Sequence, residues 1–327
     1  MIRNFSLRHF KILKKKKENE YIIRIYDEKE TLEKEGIECR NAFPLSSKSS
    51  FKIGGKADLA VFPKNASELE YIVAYLKDRE IPYIVVGNGS NILFEDEGYR
   101  GCVIFTEKMN EVTVDGNRVT AGAGMSLTAL ASKAKAASLT GLEFSYGIPG
   151  SVGGAVVMNA GAYGGQVSDV LESCTLYDAE KCELRTLRKD EMDLSYRHSI
   201  FSENKKFICI SATFTLKEGK KDEIDAVMRD LMQRRISKQP LEYPSAGSVF
   251  KRPAPDLFVG KMIEDSGLKG YTIGGAQVSE KHAGFIINVG GATAKDVLDL
   301  VGHIQGVIRQ NYGVEIECEI RRAGTGE

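Results

Sequence analysis

The chain has no tryptophan, only six cysteines and four histidines, and no excess of either charge. The cysteines form no Cys-x-x-Cys pair and the histidines are scattered, so the sequence indicates neither a metal site nor a disulfide framework. The 45 basic residues balance 45 acidic ones, which leaves no overall field to attract nucleic acid or a membrane surface. No apolar run approaches the roughly 20 residues that span a bilayer. The composition therefore predicts a cytoplasmic protein with no metal, no nucleic-acid partner and no membrane insertion.

The length of 327 residues exceeds what one hydrophobic core usually holds, which predicts several domains. The first part, 1–20, is rich in lysine and arginine and is expected to be a disordered, dispensable arm. Strand and helix patterns alternate over 21–104 and predict a first domain, while hairpin patterns over 105–238 predict a second one. A third domain is expected over 239–314, and a last strand within 315–327 could return to the first.

Local signals mark where some of these elements begin and end. Asn65 and Thr293 each precede an apolar stripe with helical spacing, and Gly313 follows the second of these stripes. Residues 256–266 are also predicted to be helical. Apolar and charged residues then alternate through 314–321, which predicts a final strand with three glutamates and one arginine on one face.

Glycine is concentrated in two nearly uncharged segments. Seven of the nineteen residues from Gly147 to Gly165 are glycine, and mostly apolar side chains lie between them, so backbone is expected to pack closely against another group. The segment Gly87–Asn91 has the same character, and consecutive N–H groups in such loops suit phosphate oxygens. The candidate ligand-binding residues are Gly87, Asn88, Gly89, Ser90, Asn91, Gly147, Gly150, Ser151, Gly153, Gly154 and Asn159.

Each glycine segment also has a structural interpretation. The Gly87 loop lacks the third glycine of a dinucleotide-binding fingerprint, and no Walker A lysine follows it. A tight turn explains this loop equally well, and close backbone packing within a domain explains the second segment. The two segments together favour one large anionic ligand with a flat ring, such as a dinucleotide.

Three polar residues stand out beyond the glycine segments. Arg197 follows Tyr196 between two predicted strands and offers a planar fork for a carboxylate or phosphate, although a surface arginine is the simpler interpretation. Ser248 lies among small residues beside Lys251, and no nucleophile elbow surrounds it, so acyl transfer is not indicated. Glu319, considered without the other two residues, is expected to lie with Glu315 and Glu317 on the solvated face of an edge strand.

Six motifs in order carry a resemblance to a known family. They are Ser50-Phe51-Lys52-Ile53-Gly54-Gly55, Val86-Gly87-Asn88-Gly89-Ser90-Asn91, Gly147-Ile148-Pro149-Gly150-Ser151-Val152-Gly153-Gly154, Tyr196-Arg197, Ala246-Gly247-Ser248 and Glu317-Cys318-Glu319-Ile320-Arg321. Over about 21–321 the chain resembles the UDP-N-acetylenolpyruvoylglucosamine reductases. The short spacing from Arg197 to Ser248 is similar to that of the family's second type, which lacks an inserted tyrosine-bearing loop. Two departures are a polar tail after Ile320 and Cys318 at a position where proline is frequent.

The resemblance implies an α+β protein with an FAD-binding fold similar to the vanillyl-alcohol-oxidase type. Two α/β FAD-binding domains, 21–104 and 105–238, would precede a C-terminal α+β substrate domain, 239–314. The implied cofactors are noncovalent FAD and, as reductant, NADPH. The implied substrate is the enolpyruvyl ether of UDP-N-acetylglucosamine, which is reduced to UDP-N-acetylmuramate for peptidoglycan and thus for cell shape and division. A monomer or weak oligomer is expected.

The same resemblance implies roles for individual residues. By family position, Arg197 would grip the substrate carboxylate, Glu319 would orient its neighbours or share a proton, and Ser248 would protonate carbon as a general acid. The expected substrate contacts are Tyr196, Lys251, Lys261, Tyr271, Gln277 and Lys281.

Two other functions fit parts of the pattern. A flavin-dependent oxidase would share the cofactor fold, but such enzymes often tether the flavin through His or Cys, and no histidine stands near Gly87–Asn91. A nucleotide-binding regulatory protein could keep the fold without the chemistry, but the joint presence of Arg197, Ser248 and Glu319 disfavours it. Bleaching of a yellow purified protein by NADPH, with return of the colour when the enolpyruvyl sugar nucleotide is added, would separate these functions.

Overall fold

The structure is a computed structural model that describes Ile25 and residues 27–324. The predicted basic arm, 1–20, lies outside the described residues. Three principal sheets follow one another along the chain, and two further strands far apart in sequence connect the third region back to the first. No helix in the described part is both long and apolar enough to cross a membrane.

The first region is an α/β unit. Its elements are α1 (27–34), β1 (Glu38–Pro44), β2 (Lys56–Phe62), α2 (Ala66–Asp78), β3 (Tyr83–Val86), β4 (Ile92–Phe94) and β5 (Tyr99–Phe105). The sheet order is β1-β2-β5-β3, in which β1 is antiparallel to β2 and the other pairs are parallel. Asn65 caps α2 as predicted, because its side chain accepts a hydrogen bond from the Glu68 N–H at 2.9 Å. The glycine loop 87–91 therefore begins where β3 ends.

The second region is built on an antiparallel sheet with the order β12-β11-β13-β7-β6. Its strands are β6 (Val112–Asp115), β7 (Arg118–Gly122), β8 (Leu139–Thr140), β9 (Gly161–Ala162), β10 (Gly165–Gln166), β11 (Leu171–Asp178), β12 (Glu183–Arg188), β13 (Phe207–Thr215) and β14 (Lys217–Glu218). Its helices are α3 (Leu127–Ala136), α4 (Val152–Val157), α5 (Val167–Val170), α6 (Ile200–Glu203) and α7 (Lys221–Lys238). Short 3₁₀ turns cover Leu45–Lys48 in the first region, and Thr106–Lys108, Glu143–Ser145 and Lys189–Glu191 in the second.

The third region has an antiparallel sheet with the order β15-β18-β17-β16. Its elements are β15 (Ser245–Ser248), α8 (Val259–Asp265), β16 (Thr272–Ile273), β17 (Ala276–Val278), β18 (Phe285–Asn288), α9 (Ala294–Tyr312) and β19 (Arg321–Ala323). Thr293 and Asp296 form the capping box at the start of α9, and Gly313 ends this helix with φ +66°. Both signals were predicted from the sequence, and both are confirmed.

The third region packs firmly against the first. β19 pairs in parallel with β4, where Arg321 lies opposite Ile92. Phe51 and Leu93 from the first region share one hydrophobic cluster with Val249 from the third. The third region is therefore held against the first by a strand pair and a shared hydrophobic core.

Two predicted elements are wrong in their extent. α8 begins at Val259 rather than Asp256, because residues 255–256 form a turn closed by the Leu257 N–H and the Ala254 carbonyl. No regular strand covers 314–319, where the only ladder contact is an isolated bridge from Phe250 to Cys318.

The alternation after Gly313 nevertheless predicts burial correctly at two apolar positions. Ile316 and Ile320 are buried, while Glu315 and Glu317 are exposed. Glu319 is less exposed than Glu315 and Glu317. The prediction that all three carboxylates lie on one solvated face is therefore also wrong.

Candidate active site

The two glycine segments contact each other at Gly87 and Ser151. A Cβ atom added to Gly87 would lie 2.1 Å from Ser151 Oγ, so only glycine fits there without displacement of its neighbour. Asn88 Nδ2 also donates a hydrogen bond to the Pro149 carbonyl at 3.2 Å. The loops that the sequence marked separately therefore form one surface between the first and second regions.

The first loop offers free backbone donors. Within the described residues, the N–H groups of 88–91 donate to no acceptor. Gly89 has φ +63°, and an added Cβ would lie 1.9 Å from the Lys48 carbonyl oxygen. Consecutive unpaired N–H groups in a turn make a concave site for an anion, so this loop fits a diphosphate.

The second loop uses its N–H groups differently from the expectation. Val152 donates to the Met125 carbonyl at 2.8 Å and Gly153 donates to the Ala123 carbonyl at 2.8 Å. Gly154 donates weakly to Ser151 Oγ at 3.4 Å as α4 begins. The N–H groups of 152–154 are therefore not free to bind phosphate oxygens. The prediction that the second glycine segment supplies free N–H donors is wrong at these positions. Gly153 is explained by close packing, since an added Cβ would lie 2.9 Å from Ala123 Cβ.

A buried arginine lies beside the second loop. Arg235, near the end of α7, donates to the Gly147 carbonyl. Burial lowers the pKa of this guanidinium, and no carboxylate pairs with it in the part of the chain that the structure describes. Arg235 was not among the predicted site residues, because its position depends on how α7 packs against the glycine segment.

Arg197 occupies the tip of a tight hairpin. Ser195 and His198 exchange two backbone hydrogen bonds of 3.2 Å, and Arg197 between them has φ +56°. This left-handed backbone is uncommon for an arginine, and such conformations cluster at functional sites. Asn159 is 1% exposed and holds the hairpin, because its Nδ2 donates to the Ser195 carbonyl at 2.9 Å. Its Oδ1 accepts from the Ser168 N–H at 2.9 Å, so this predicted cofactor residue positions Arg197.

Arg197 reaches Glu319 in the third region. The Nε and Oε1 atoms are 2.7 Å apart, and the two side chains are 20% and 12% exposed. Burial raises the pKa of Glu319, while the adjacent Arg197 guanidinium opposes that rise. A second Arg197 nitrogen, Nη2, donates to the Gly161 carbonyl at 3.4 Å. The guanidinium is thus held by a carboxylate and a carbonyl at the edge of a cavity.

This cavity has a volume of about 830 Å³ and is lined by Arg197, Glu319 and Ser248 together. Ser248 is exposed at the end of β15, and its hydroxyl makes no hydrogen bond to any described residue. The three predicted catalytic residues therefore share one solvent-accessible space. A volume of this size is typical of a small-molecule site.

Backbone contacts connect this group to the first glycine loop. Asn91 Nδ2 donates to the Glu319 carbonyl at 3.1 Å, and the Arg321 N–H donates to the Asn91 carbonyl at 3.1 Å. The Glu319 N–H in turn donates to the Val249 carbonyl at 2.7 Å, next to Ser248. Asn91, predicted as a cofactor residue, thereby also fixes the segment that carries Glu319.

The predicted substrate contacts divide into two groups. Tyr196, Lys261 and Lys281 line the cavity, whereas Lys251, Tyr271 and Gln277 do not. The second group has other neighbours: Lys251 pairs with Glu317 at 2.8 Å, Tyr271 stacks on His303 with centroids 4.3 Å apart, and Gln277 donates to Thr272 Oγ1 at 3.0 Å.

Two cations that were not predicted also line the cavity. Lys238 and Arg252 make no ion pair with any described residue, whereas Lys261 pairs with Asp265 at 3.0 Å and Lys281 with Glu242 at 3.5 Å. The Arg252 guanidinium instead lies 5.4 Å from the ring centroid of Phe258 and 5.9 Å from that of Tyr196. The proximity of Arg252 to Ser248 in sequence was the one signal that could have identified it.

Comparison with known proteins defines the class first. Residues 57–187 match the FAD binding domain family. The protein is therefore a flavoprotein, and the predicted FAD cofactor and α+β FAD-binding fold are confirmed. The free N–H groups of 88–91 lie within this matched segment.

The remaining matches define the family. Residues 239–323 match the C-terminal domain of UDP-N-acetylenolpyruvoylglucosamine reductase. The reductase of Clostridium novyi (strain NT) is 48% identical over 287 residues, which cover 88% of this chain and 92% of the relative. The reductase of Caldanaerobacter subterraneus subsp. tengcongensis is 49% identical over 281 residues, or 86% and 92% of the two chains.

A solved structure agrees with these matches. The reductase from Thermus caldophilus has a TM-score of 0.73 and 34% identity, with coverage of 88% of this chain and 98% of that one. The chain belongs to the UDP-N-acetylenolpyruvoylglucosamine reductase family, and the resemblance found in the sequence is confirmed. It is accordingly an oxidoreductase.

Proposed function

We propose that the protein reduces the enolpyruvyl ether of UDP-N-acetylglucosamine to UDP-N-acetylmuramate, with NADPH as reductant, in peptidoglycan precursor synthesis. The observation that carries this proposal is the cavity in which Arg197, Glu319 and Ser248 converge. One guanidinium, one partly buried carboxyl and one free hydroxyl suit a reaction that creates negative charge and then places a proton on carbon.

The cofactor would lie along the contacting glycine loops. Residues 88–91 would hold its diphosphate through their free N–H groups, and Gly87, Gly150 and Ser151 would form the adjoining wall. When bound and reduced, FAD supplies a hydride to the terminal carbon of the enolpyruvyl group. The chain itself must then stabilise the charge and supply the proton.

Arg197 and Glu319 stabilise the negative charge that forms on the substrate. Addition of hydride to the terminal carbon leaves negative charge on the neighbouring carbon, delocalised into the attached carboxylate. The Arg197 guanidinium is held at 2.7 Å by Glu319 and needs no rearrangement to meet this charge. Glu319 orients the guanidinium, and its raised pKa allows it to share a proton at the same place.

Ser248 supplies the proton. Its exposed hydroxyl would donate to the carbon that carries the ether oxygen and the carboxylate, which completes the lactyl ether. Serine is ordinarily a very weak acid, but the developing carbanion is a strong base and Arg197 lines the same cavity. The resulting alkoxide regains its proton from water.

Lys238 and Arg252 would bind the diphosphate of the substrate. They are the cavity cations that no described carboxylate neutralises, so phosphate oxygens would gain charge-assisted hydrogen bonds without breaking an ion pair. Phe258 is 57% exposed beside Arg252 and presents a flat apolar surface for the uracil ring. The expected cytoplasmic location, the weak or absent oligomerisation and the domain boundaries stay predictions.

The test is a cycle of flavin absorbance under anaerobic conditions. NADPH should bleach the FAD-loaded protein, and the enolpyruvyl sugar nucleotide should restore the colour with formation of UDP-N-acetylmuramate. Restoration of colour by oxygen but not by the sugar nucleotide would instead favour an oxidase. Protein that cannot be loaded with FAD would exclude the proposed reaction.

A further inference from the structure

Asn288, at the end of β18, is a buried polar residue that joins the third region to the first. It is 8% exposed, and its Nδ2 donates to the Phe51 carbonyl at 3.0 Å. Its Oδ1 accepts from the N–H groups of Gly290 at 2.9 Å and Ala292 at 3.2 Å. The amide therefore has partners at both ends, and one of them belongs to the other region.

Phe51 belongs to a segment that touches the cofactor loop. The N–H of its neighbour, Ser50, donates to the Gly89 carbonyl at 3.0 Å. Gly89 also packs closely on Lys48 of the same segment, since a Cβ atom added to it would lie 1.9 Å from the Lys48 carbonyl oxygen. Asn288 is thus two hydrogen bonds and one peptide unit away from the loop expected to bind FAD.

On its other side Asn288 is tied to the strand that carries Ser248. β18 pairs with β15, where Ser245 lies opposite Ile287 and Ser248 lies opposite Phe285. The Asn288 N–H itself donates to the Pro244 carbonyl at 2.9 Å, immediately before β15. A continuous series of hydrogen bonds therefore runs from Gly89 through Asn288 to the Ser248 strand.

We propose that Asn288 is a positioning residue that sets the distance between Ser248 and the bound cofactor. This inference rests on the proposed function, in which Ser248 protonates the substrate beside the cofactor. Apolar packing within the cluster that contains Phe51 and Val249 is not directional, whereas the hydrogen bond from Asn288 to the Phe51 carbonyl fixes both distance and angle. A misplacement of about 1 Å at a reacting group costs on the order of 100-fold in rate.

Loss of this positioning role should impair only one of the two half-reactions. Reduction of the bound flavin by NADPH does not use Ser248, but transfer to the enolpyruvyl substrate does. Loss of the Asn288 contact should therefore slow reoxidation by the substrate about 10-fold to 100-fold and leave bleaching by NADPH unchanged. A change of KM alone is not expected, because Asn288 does not line the cavity.

Two variants test this inference in single-turnover absorbance measurements on the FAD-bound fraction. Asn288→Asp keeps the shape and the acceptor for Gly290 but replaces the donor to Phe51 with an oxygen. Asn288→Ser keeps a short acceptor and cannot reach Phe51. Both should show the same selective slowing, with a larger solvent deuterium isotope effect on reoxidation than the wild-type protein.

Asp96→Ala is the matched control. Asp96 accepts from the N–H groups of Ala294 at 2.8 Å and Lys295 at 3.2 Å, so it joins the same two regions through α9 rather than through β15. This variant should lower the melting temperature and leave both half-reactions unchanged.

Several results would overturn the positioning role. These are equal reoxidation rates in wild-type and Asn288 variants, a proportional loss in both half-reactions, selective slowing in Asp96→Ala as well, or loss of FAD from both Asn288 variants. A wild-type protein that NADPH bleaches but the substrate never reoxidises would overturn the proposed function itself, and this inference with it.

Discussion

Arg197 Nε and Glu319 Oε1 lie 2.7 Å apart although 122 positions separate the two residues in sequence. The pair joins a strained hairpin of the second region to an irregular segment of the third. Ser248 lines the same cavity. The geometry of this pair therefore decides whether the negative charge is stabilised close to the hydroxyl that donates the proton.

Substitution of Glu319 by glutamine tests the charge of this pair. Glu319→Gln retains an oxygen for Arg197 but loses the charge-assisted bond, so kcat should fall about 100-fold while FAD binding is retained. Steady-state kinetics and the flavin spectrum measure the two effects. Glu317→Gln is the control, because Glu317 is exposed two positions away and should be nearly silent. Equal effects of the two substitutions would contradict the assigned role.

The raised pKa of Glu319 gives a pH dependence of stability. The pKa of Glu319 is higher in the folded protein than in the unfolded protein, where it is about 4.3. Such an acid stabilises the folded state at pH values below its unfolded pKa. This stabilisation is lost as the pH rises through the folded pKa. The free energy of unfolding of Glu319→Gln minus that of the wild-type protein should therefore increase with pH across this window. Urea unfolding of both proteins at several pH values measures it, and a difference that decreases would show that Arg197 outweighs burial.

Removal of the unpaired cavity cations should weaken substrate binding. Lys238→Ala and Arg252→Ala should each raise the KM for the sugar nucleotide about 10-fold to 100-fold, with a smaller fall in kcat, because hydrogen bonds to charged groups contribute about 1.5–3 kcal/mol. Lys251→Ala provides the comparison, since Lys251 pairs with Glu317 outside the cavity lining. A larger KM effect at Lys251 would instead assign the diphosphate to that residue.

The contact between the glycine loops can be tested by a pair of substitutions. Gly87→Ala places a Cβ 2.1 Å from Ser151 Oγ and should raise the dissociation constant of FAD about 10-fold or more, equivalent to about 1.4 kcal/mol. Addition of Ser151→Gly removes the clashing atom and should restore part of the affinity. Fluorescence titration with FAD measures both variants. Gly302→Ala, where an added Cβ meets nothing within 4 Å, should bind FAD normally.

Local chemistry explains which parts of the fold were predictable. Asn65 and Gly313 act on residues three or four positions away, so their capping roles follow from sequence alone. The segment after Gly313 shows the limit of such reasoning. Its alternation predicts the burial of Ile316 and Ile320, but strand pairing depends on a neighbour such as Phe250, whose distance along the chain the pattern does not contain.

The site was predictable only in part for the same reason. Gly89 and Gly153 look alike in sequence, yet one lies in a loop with free N–H groups and the other packs against Ala123. Arg197 and Glu319 were associated by family resemblance, because physical reasoning from the residues alone predicted a surface position for each. Lys238 could not be identified in advance, since its lack of an acidic partner is a property of the folded protein.

The most direct test of the account is the rate at which the enolpyruvyl sugar nucleotide reoxidises the NADPH-reduced flavin in Ser248→Ala. The variant should bind FAD and be bleached by NADPH like the wild-type protein, because Ser248 lies on the third sheet and its hydroxyl makes no hydrogen bond to another described residue. Reoxidation should then be slower by about 100-fold to 10,000-fold, the usual contribution of general acid catalysis. Reoxidation at the wild-type rate would contradict the central claim that this cavity delivers its proton from Ser248.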